Sequence, residues 1–148
     1  MITDKILVIR KKAKNFVEFV GVNRAKVDFA GAMLKNAGGV SIPNDYAEFL
    51  QKTDGMIATP FEFFGTSEHD RKMQMYKFPN IVDFNVVFLK GDKIPSMRKR
   101  IVIGQVYFDM IIFDGNDGKY KLVARNNFAS IRIFNGFEDV LGYVAQSL

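Results

Sequence analysis

Ile42-Pro43-Asn44-Asp45-Tyr46-Ala47-Glu48-Phe49-Leu50-Gln51-Lys52-Thr53-Asp54-Gly55 is the stretch that decides the fold. It reads as one short helix with both ends written out. Pro43 suits the first helical turn, where its fixed φ helps and its missing N–H costs nothing. Asn44 and Asp45 set polar and negative groups beside the positive end of the helix dipole. Tyr46, Phe49 and Leu50 fall at i, i+3 and i+4, so one face carries two rings and a leucine. Asp45 and Glu48 lie opposite that face. Gly55 can take the left-handed conformation that ends a helix.

Upstream, Ile2, Ile6, Ile9, Ala13, Phe16, Val17 and Val20 recur at helical spacing. They predict an amphipathic helix that Thr3 can cap and Gly21 can end. A second helix is expected from Asn23 to Asn36, burying Val27, Ala30, Met33, Leu34 and Ala37 before Gly38-Gly39 breaks it. Downstream, Met56 to Phe64 looks extended, with Pro60 suiting an edge. Residues 65–79 are polar and read as a loop. Asn80 to Leu89 reads as a helix, although Val86-Val87-Phe88 alone would suit a strand.

From Arg100 the pattern turns to β: Ile101-Val102-Ile103, Phe108 to Phe113, Tyr120 to Ala124, and Ile131 to Phe134. Asp114-Gly115-Asn116-Asp117-Gly118 is a strong hairpin turn. A closing helix follows, with Asn135 a candidate cap, Glu138 at the capping-box position, and Phe137, Val140, Leu141 and Val144 on one side. Helices, then antiparallel strands, then a terminal helix predict a single α+β domain, a twisted antiparallel sheet with helices packed around it.

The 148 residues suffice for a core without staples. With 15 Phe among 48% hydrophobic residues, that core is rich in rings. The absence of cysteine excludes disulfides, thiolate metal sites and cysteine catalysis. No run approaches the ~18 apolar residues of a spanning helix, and Ile6-Leu7-Val8-Ile9 is too short for a secretory signal core. A soluble cytoplasmic protein, off the membrane and without cofactor or metal, is expected.

The net charge of +5 is unevenly spread. Residues 1–26 carry Lys5, Arg10, Lys11, Lys12, Lys14, Arg24 and Lys26 against Asp4 and Glu18, and residues 90–100 carry Lys90, Lys93, Arg98, Lys99 and Arg100 against Asp92. Residues 44–70 reverse the balance, with Asp45, Glu48, Asp54, Glu62, Glu68 and Asp70 against Lys52.

Read together, these landmarks resemble the SUKH superfamily, the bacterial relatives of a yeast cell-wall glucan-synthesis regulator. The resemblance rests on Ile42-Pro43-x-x-Tyr46-x-x-Phe49-Leu50, then Asp54-Gly55 where the family usually has Asn-Gly. It continues through Phe64-Gly65, Asn85 within Asn80–Leu89, Ile101-Val102-Ile103-Gly104, Phe113-Asp114 and the Phe137-Glu138 helix, covering roughly residues 25–146. It implies a small mixed domain and, for bacterial members, immunity: binding and blocking a toxin, often a nuclease, encoded nearby. The net positive charge and Gly104-Gln105-Val106, in place of a more polar turn, depart from the pattern.

Other readings compete at particular residues. Glu68-His69-Asp70 has the composition of a general base flanked by carboxylates, but no Cys or well-placed Ser completes a nucleophilic set, so His69 reads as a solvated loop histidine. Counted as a calcium loop from Asp114, the fifth and sixth positions hold Gly118 and Lys119 and the twelfth holds Arg125, so a hairpin is expected instead. Arg10-Lys11-Lys12 with Lys14, and Arg98-Lys99-Arg100, read as solvated basic faces; residues 5–14 and 98–100 are also where a basic nucleic-acid-associated regulator would make contact, and a cell-wall-related regulatory protein is a further alternative. Asp45, Glu48, Glu62, Glu68 and Asp70 are the candidate docking residues for a basic protein partner, because charge complementarity speeds encounter and excludes wrong partners. No catalytic residue is assigned.

Overall fold

The computed structural model describes residues 1–70, 77–89 and 97–148. Among these residues, five helices pack around one seven-stranded antiparallel sheet, whose strands lie side by side in chain order, β1 to β7. The helices are α1 (Ile2–Lys12), α2 (Arg24–Asn36), α3 (Asn44–Lys52), α4 (Ile81–Leu89) and α5 (Phe137–Ser147). The strands are β1 (Phe16–Glu18), β2 (Met56–Ala58), β3 (Phe61–Phe63), β4 (Arg100–Val106), β5 (Asp109–Asp114), β6 (Lys119–Ala124) and β7 (Ser130–Phe134). The α+β class expected from the sequence is therefore present. Among the described residues no helix is long and apolar enough to cross a membrane. Lys90, Asp92, Lys93 and part of the expected 65–79 loop lie outside the described residues.

The proline-led helix α3 forms where expected. Pro43 is its N-cap, one position earlier than predicted, and Tyr46, Ala47, Phe49 and Leu50 are buried. Thr53, extended at φ −150°, closes it, and Gly55 takes φ +100° two residues later. A Cβ on Gly55 would stand 2.9 Å from the Phe63 carbonyl oxygen, so glycine is needed where the chain folds back into β2. The rings of Tyr46, Phe49 and Phe63 gather around Phe137 of α5, with centroids 4.9, 5.0 and 5.5 Å from it. On the other side of β3, Glu62 stays half-buried.

Several boundaries differ from the sequence reading. The first helix stops at Lys12, and Phe16–Glu18 pairs with Met56–Ala58 as an edge strand. Phe16 and Val17 extend the helical spacing by coincidence; a ring and a β-branched side chain suit a strand once a partner is available. Thr3 does not cap, since Met1 holds that position, and Val20 is 89% exposed. Gly21 instead presses against α3, where a Cβ would stand 2.0 Å from the Gln51 carbonyl oxygen. On α2, Met33 is exposed and Gly31 takes the buried place, against the Ile42 backbone.

Met56 to Phe64 is a hairpin rather than one strand, with Thr59-Pro60, a cis pair, in its turn and partners on both sides. Residues 81–89 are helical, with the Asn80 side chain accepting from the Asp83 N–H at 2.8 Å. β4 runs on through Val106, which moves the next turn to Tyr107-Phe108, and the turn before β6 forms at 115–118 as expected.

Candidate functional site

Asp45, on the first turn of α3, meets the start of α5. Its Oδ2 accepts from the Phe137 backbone N–H at 2.7 Å and its Oδ1 from the Tyr120 hydroxyl. The N-cap of α5 is Gly136, with no side-chain cap of its own. The expected cap Asn135 and capping-box Glu138 are thus replaced by a carboxylate from another helix, which satisfies an orphan N–H and faces the positive end of the dipole. Burial, then the Asp45 charge, push the Tyr120 phenol far above its ordinary value, so it remains a donor.

This junction floors an open cleft of about 450 Å³, lined by Met1, Ile2, Asp45, Glu48 and residues 135–139. Glu48, Glu138 and Asp139 are exposed on its rim. The amino group of Met1 donates to Glu138 at 2.6 Å; that hydrogen bond, then the charge, hold the Glu138 carboxyl below its ordinary range. The cleft therefore offers carboxylate acceptors at the common start of two helices.

Of the five docking residues proposed from sequence, only Asp45 and Glu48 meet here. Asp45, expected opposite the buried face as a docking residue, is instead engaged within the fold: three hydrogen bonds, including one from its neighbour's N–H at 2.9 Å, hold it there. Glu62 lies on the sheet and accepts from Gln105 Nε2 at 2.9 Å. Glu68 and Asp70 sit on a loop, both within 4.0 Å of Lys77 Nζ. Glu138 and Asp139 were missed as site residues because acids at a helix start already have a local explanation.

His69 is not the solvated histidine expected. Its ring stacks on Phe19 at 3.9 Å between centroids, and its Nε2 lies 2.9 Å from the Asp54 carbonyl oxygen and 3.1 Å from Asp54 Oδ2. The buried Asp54 also accepts from the Thr66 N–H and hydroxyl at 2.7 and 2.8 Å. This set ties the 65–70 loop to the end of α3.

Three motif residues join distant segments. The Tyr46 hydroxyl donates to the Phe64 carbonyl at 2.5 Å and sits 3.1 Å from that of Ile103, linking α3 to the residue just past β3 and to β4. Burial, then the Asp54 charge, raise its pKa well above the ordinary value. Buried Asn85 donates to the Val102 carbonyl and accepts from the Val102 N–H, at 2.8 and 2.6 Å, beside the irregular register of β4. Asp114 anchors the hairpin that follows it. Burial would raise its pKa, but Lys121, Asn116 and Arg100 lower it to about 2. Arg100 is thus committed to Asp114, with Nε at 2.9 Å. Among the described residues no group of three His, Asp or Glu converges to hold a metal ion.

No known family model matches the chain, and no curated protein does.

Proposed function

We propose that the chain is a non-enzymatic protein-binding domain of the SUKH type, acting as an immunity protein that occludes the active site of a toxin. The observation that carries this reading is the interlocking of the motif residues behind the resemblance. Tyr46 bonds Phe64 and Ile103, Asn85 bonds Val102, and Phe49 and Phe137 share one ring cluster. The polar contacts of Tyr46 and Asn85, which join segments 17 to 57 positions apart, support reading these landmarks as one set.

The acidic cleft is the contact surface this reading assigns. Glu48, Glu138 and Asp139 would receive Lys or Arg side chains of a basic partner, with no chemistry performed by the chain. Rim charges act mostly on encounter rate, so salt should weaken the complex.

The test is co-expression with the polypeptide encoded beside it, scored for rescue of growth, and followed by titration of the two purified proteins. Rescue and a complex that Glu48→Lys with Asp139→Lys weakens are the expected results. A neighbour that is not toxic, or one toxic but neither bound nor neutralised, would refute immunity.

A further inference from the structure

A second surface follows from the strand register alone. With all seven strands antiparallel and in chain order, every second turn lies at the same end of the sheet. Phe16 pairs with Ala58, Phe61 with Val106, and Asp109 with Ala124. One step further along each ladder, Asn15 meets Thr59, Pro60 meets Tyr107, and Phe108 meets Arg125. The Thr59 N–H indeed donates to the Asn15 carbonyl at 3.4 Å. Lys14, Pro60, Tyr107, Phe108, Arg125 and Asn126 therefore stand in one row, which the sequence scatters over more than a hundred positions.

The centre of this row is unlike a solvated turn. Tyr107 and Phe108 are 79% and 85% exposed, two large rings side by side in water. Tyr107 also holds φ +51°, a conformation a bulky side chain rarely adopts. Glycine or asparagine would fit that position better, so backbone strain is tolerated where the rings project. Arg125, exposed and donating to Gln105 Oε1 at 2.7 Å, lies one strand from Phe108, and exposed Lys14 lies three strands from Tyr107 at the far end of the row. The nearest carboxylate in register, Asp109, is half-buried.

We infer that this row binds single-stranded nucleic acid. Bases stack on Tyr107 and Phe108, and phosphates lie against Lys14 and Arg125. Paired rings in a row with cations are the chemistry that takes an unpaired strand without regard to sequence. Five strand spacings separate β1 from β6, roughly 24 Å, enough for on the order of four nucleotides. The net charge of +5 favours the encounter. A protein or lipid partner would be expected to meet a broader apolar patch, and the flanking residues Lys14, Asn15, Arg125, Asn126 and Asn127 are polar. The surface is separate from the acidic cleft, so this inference stands or falls independently of the immunity reading.

The experiment is fluorescence anisotropy of the whole chain with labelled oligothymidylate and oligouridylate of about twelve residues, long enough to cover the row. Two phosphate contacts predict saturable binding that weakens about sevenfold between about 50 and about 200 mM salt. Tyr107→Gly and Phe108→Ala should each weaken it at least about fivefold, the loss of one stacked base. Tyr107→Gly also relieves the positive φ, so it should melt at or above the wild-type temperature, which separates lost binding from lost folding. Lys119→Glu, at the opposite end of the sheet, should leave binding within about twofold, since charge far from the strand acts weakly. Absence of saturable binding at low salt overturns the inference. So does binding that Lys14→Glu with Arg125→Glu abolishes while both ring variants leave it intact. Pelleting with anionic vesicles without oligonucleotide binding would assign the row to a membrane surface instead.

Discussion

Replacing Asp45 by alanine separates the structural role of this carboxylate from any docking role. The substitution removes the acceptor for the Phe137 N–H at 2.7 Å and the partner of the Tyr120 hydroxyl. Losing a helix cap typically costs about 1 kcal/mol. Losing a hydrogen bond to a charged group costs about 1.5–3 kcal/mol, and Tyr120, 1% exposed, cannot turn to water. Because Asp45 itself is half-exposed, the lower part of that sum applies, about 2.5–3 kcal/mol. With a urea m-value of about 2 kcal/mol/M, the unfolding midpoint should fall by about 1.25–1.5 M. Glu48→Ala, on the same helix but exposed, should shift it by no more than about 0.5 kcal/mol. A cycle with Tyr120→Phe should return a coupling of at least about 0.5 kcal/mol. Equal midpoints for Asp45→Ala and Glu48→Ala would refute the reasoning and restore Asp45 as a surface charge.

Three further outcomes follow from described contacts. Asp114 has its pKa lowered from 3.8 to about 2, so its ionised form stabilises the fold above the unfolded pKa and that contribution disappears as pH falls through about 2. The stability gap between wild type and Asp114→Asn, about 2 kcal/mol at neutral pH, should therefore close between about pH 5 and about pH 2 in urea titrations; a gap that persists at about pH 2 would exclude the charge as its origin. Asn85→Ala leaves the Val102 N–H and carbonyl of a buried strand without this partner and should cost about 3 kcal/mol, a fall of about 6–12 °C in the calorimetric Tm; a fall of only a degree or two would mean those groups find other partners. Gly104→Ala places a Cβ 2.4 Å from the Glu62 carbonyl oxygen and should cost at least about 3 kcal/mol, seen as loss of soluble protein or a melting point lower by several degrees; unchanged melting would show that β3 and β4 can separate freely.

Elements coded by their own residues were legible in the sequence. The α3 helix carries its start, its buried face and its stop within about a dozen positions, and the Asp114–Gly118 turn states its geometry in its composition. Features decided by a distant partner were not. Phe16–Glu18 becomes a strand only because Met56–Ala58 lies beside it, and its spacing equally continues a helix. Tyr107-Phe108 makes a hairpin turn without glycine, asparagine or aspartate, so no turn signal marks it. Asp45 looked like a surface charge because the Phe137 N–H that it caps is 92 residues away. The candidate cleft was half legible for the same reason: Asp45 and Glu48 were singled out, but only folding sets Glu138 and Asp139 next to them. Glu62, Glu68 and Asp70 were grouped with them by closeness along the chain, which the fold does not preserve.

The order of the strands has a consequence for how the molecule assembles. Each strand pairs with the next in the chain, so β5, β6 and β7 can zip by short-range closures with small entropic penalties. Such local topologies favour fast folding. The contact between Met1 and Glu138 spans 137 positions, so docking of α1 against α5 can only follow synthesis of nearly all that separates them. Sheet growth on the ribosome would then run ahead of helix closure, and a chain arrested before α5 would leave α1 and the ring of Phe49 without their cover.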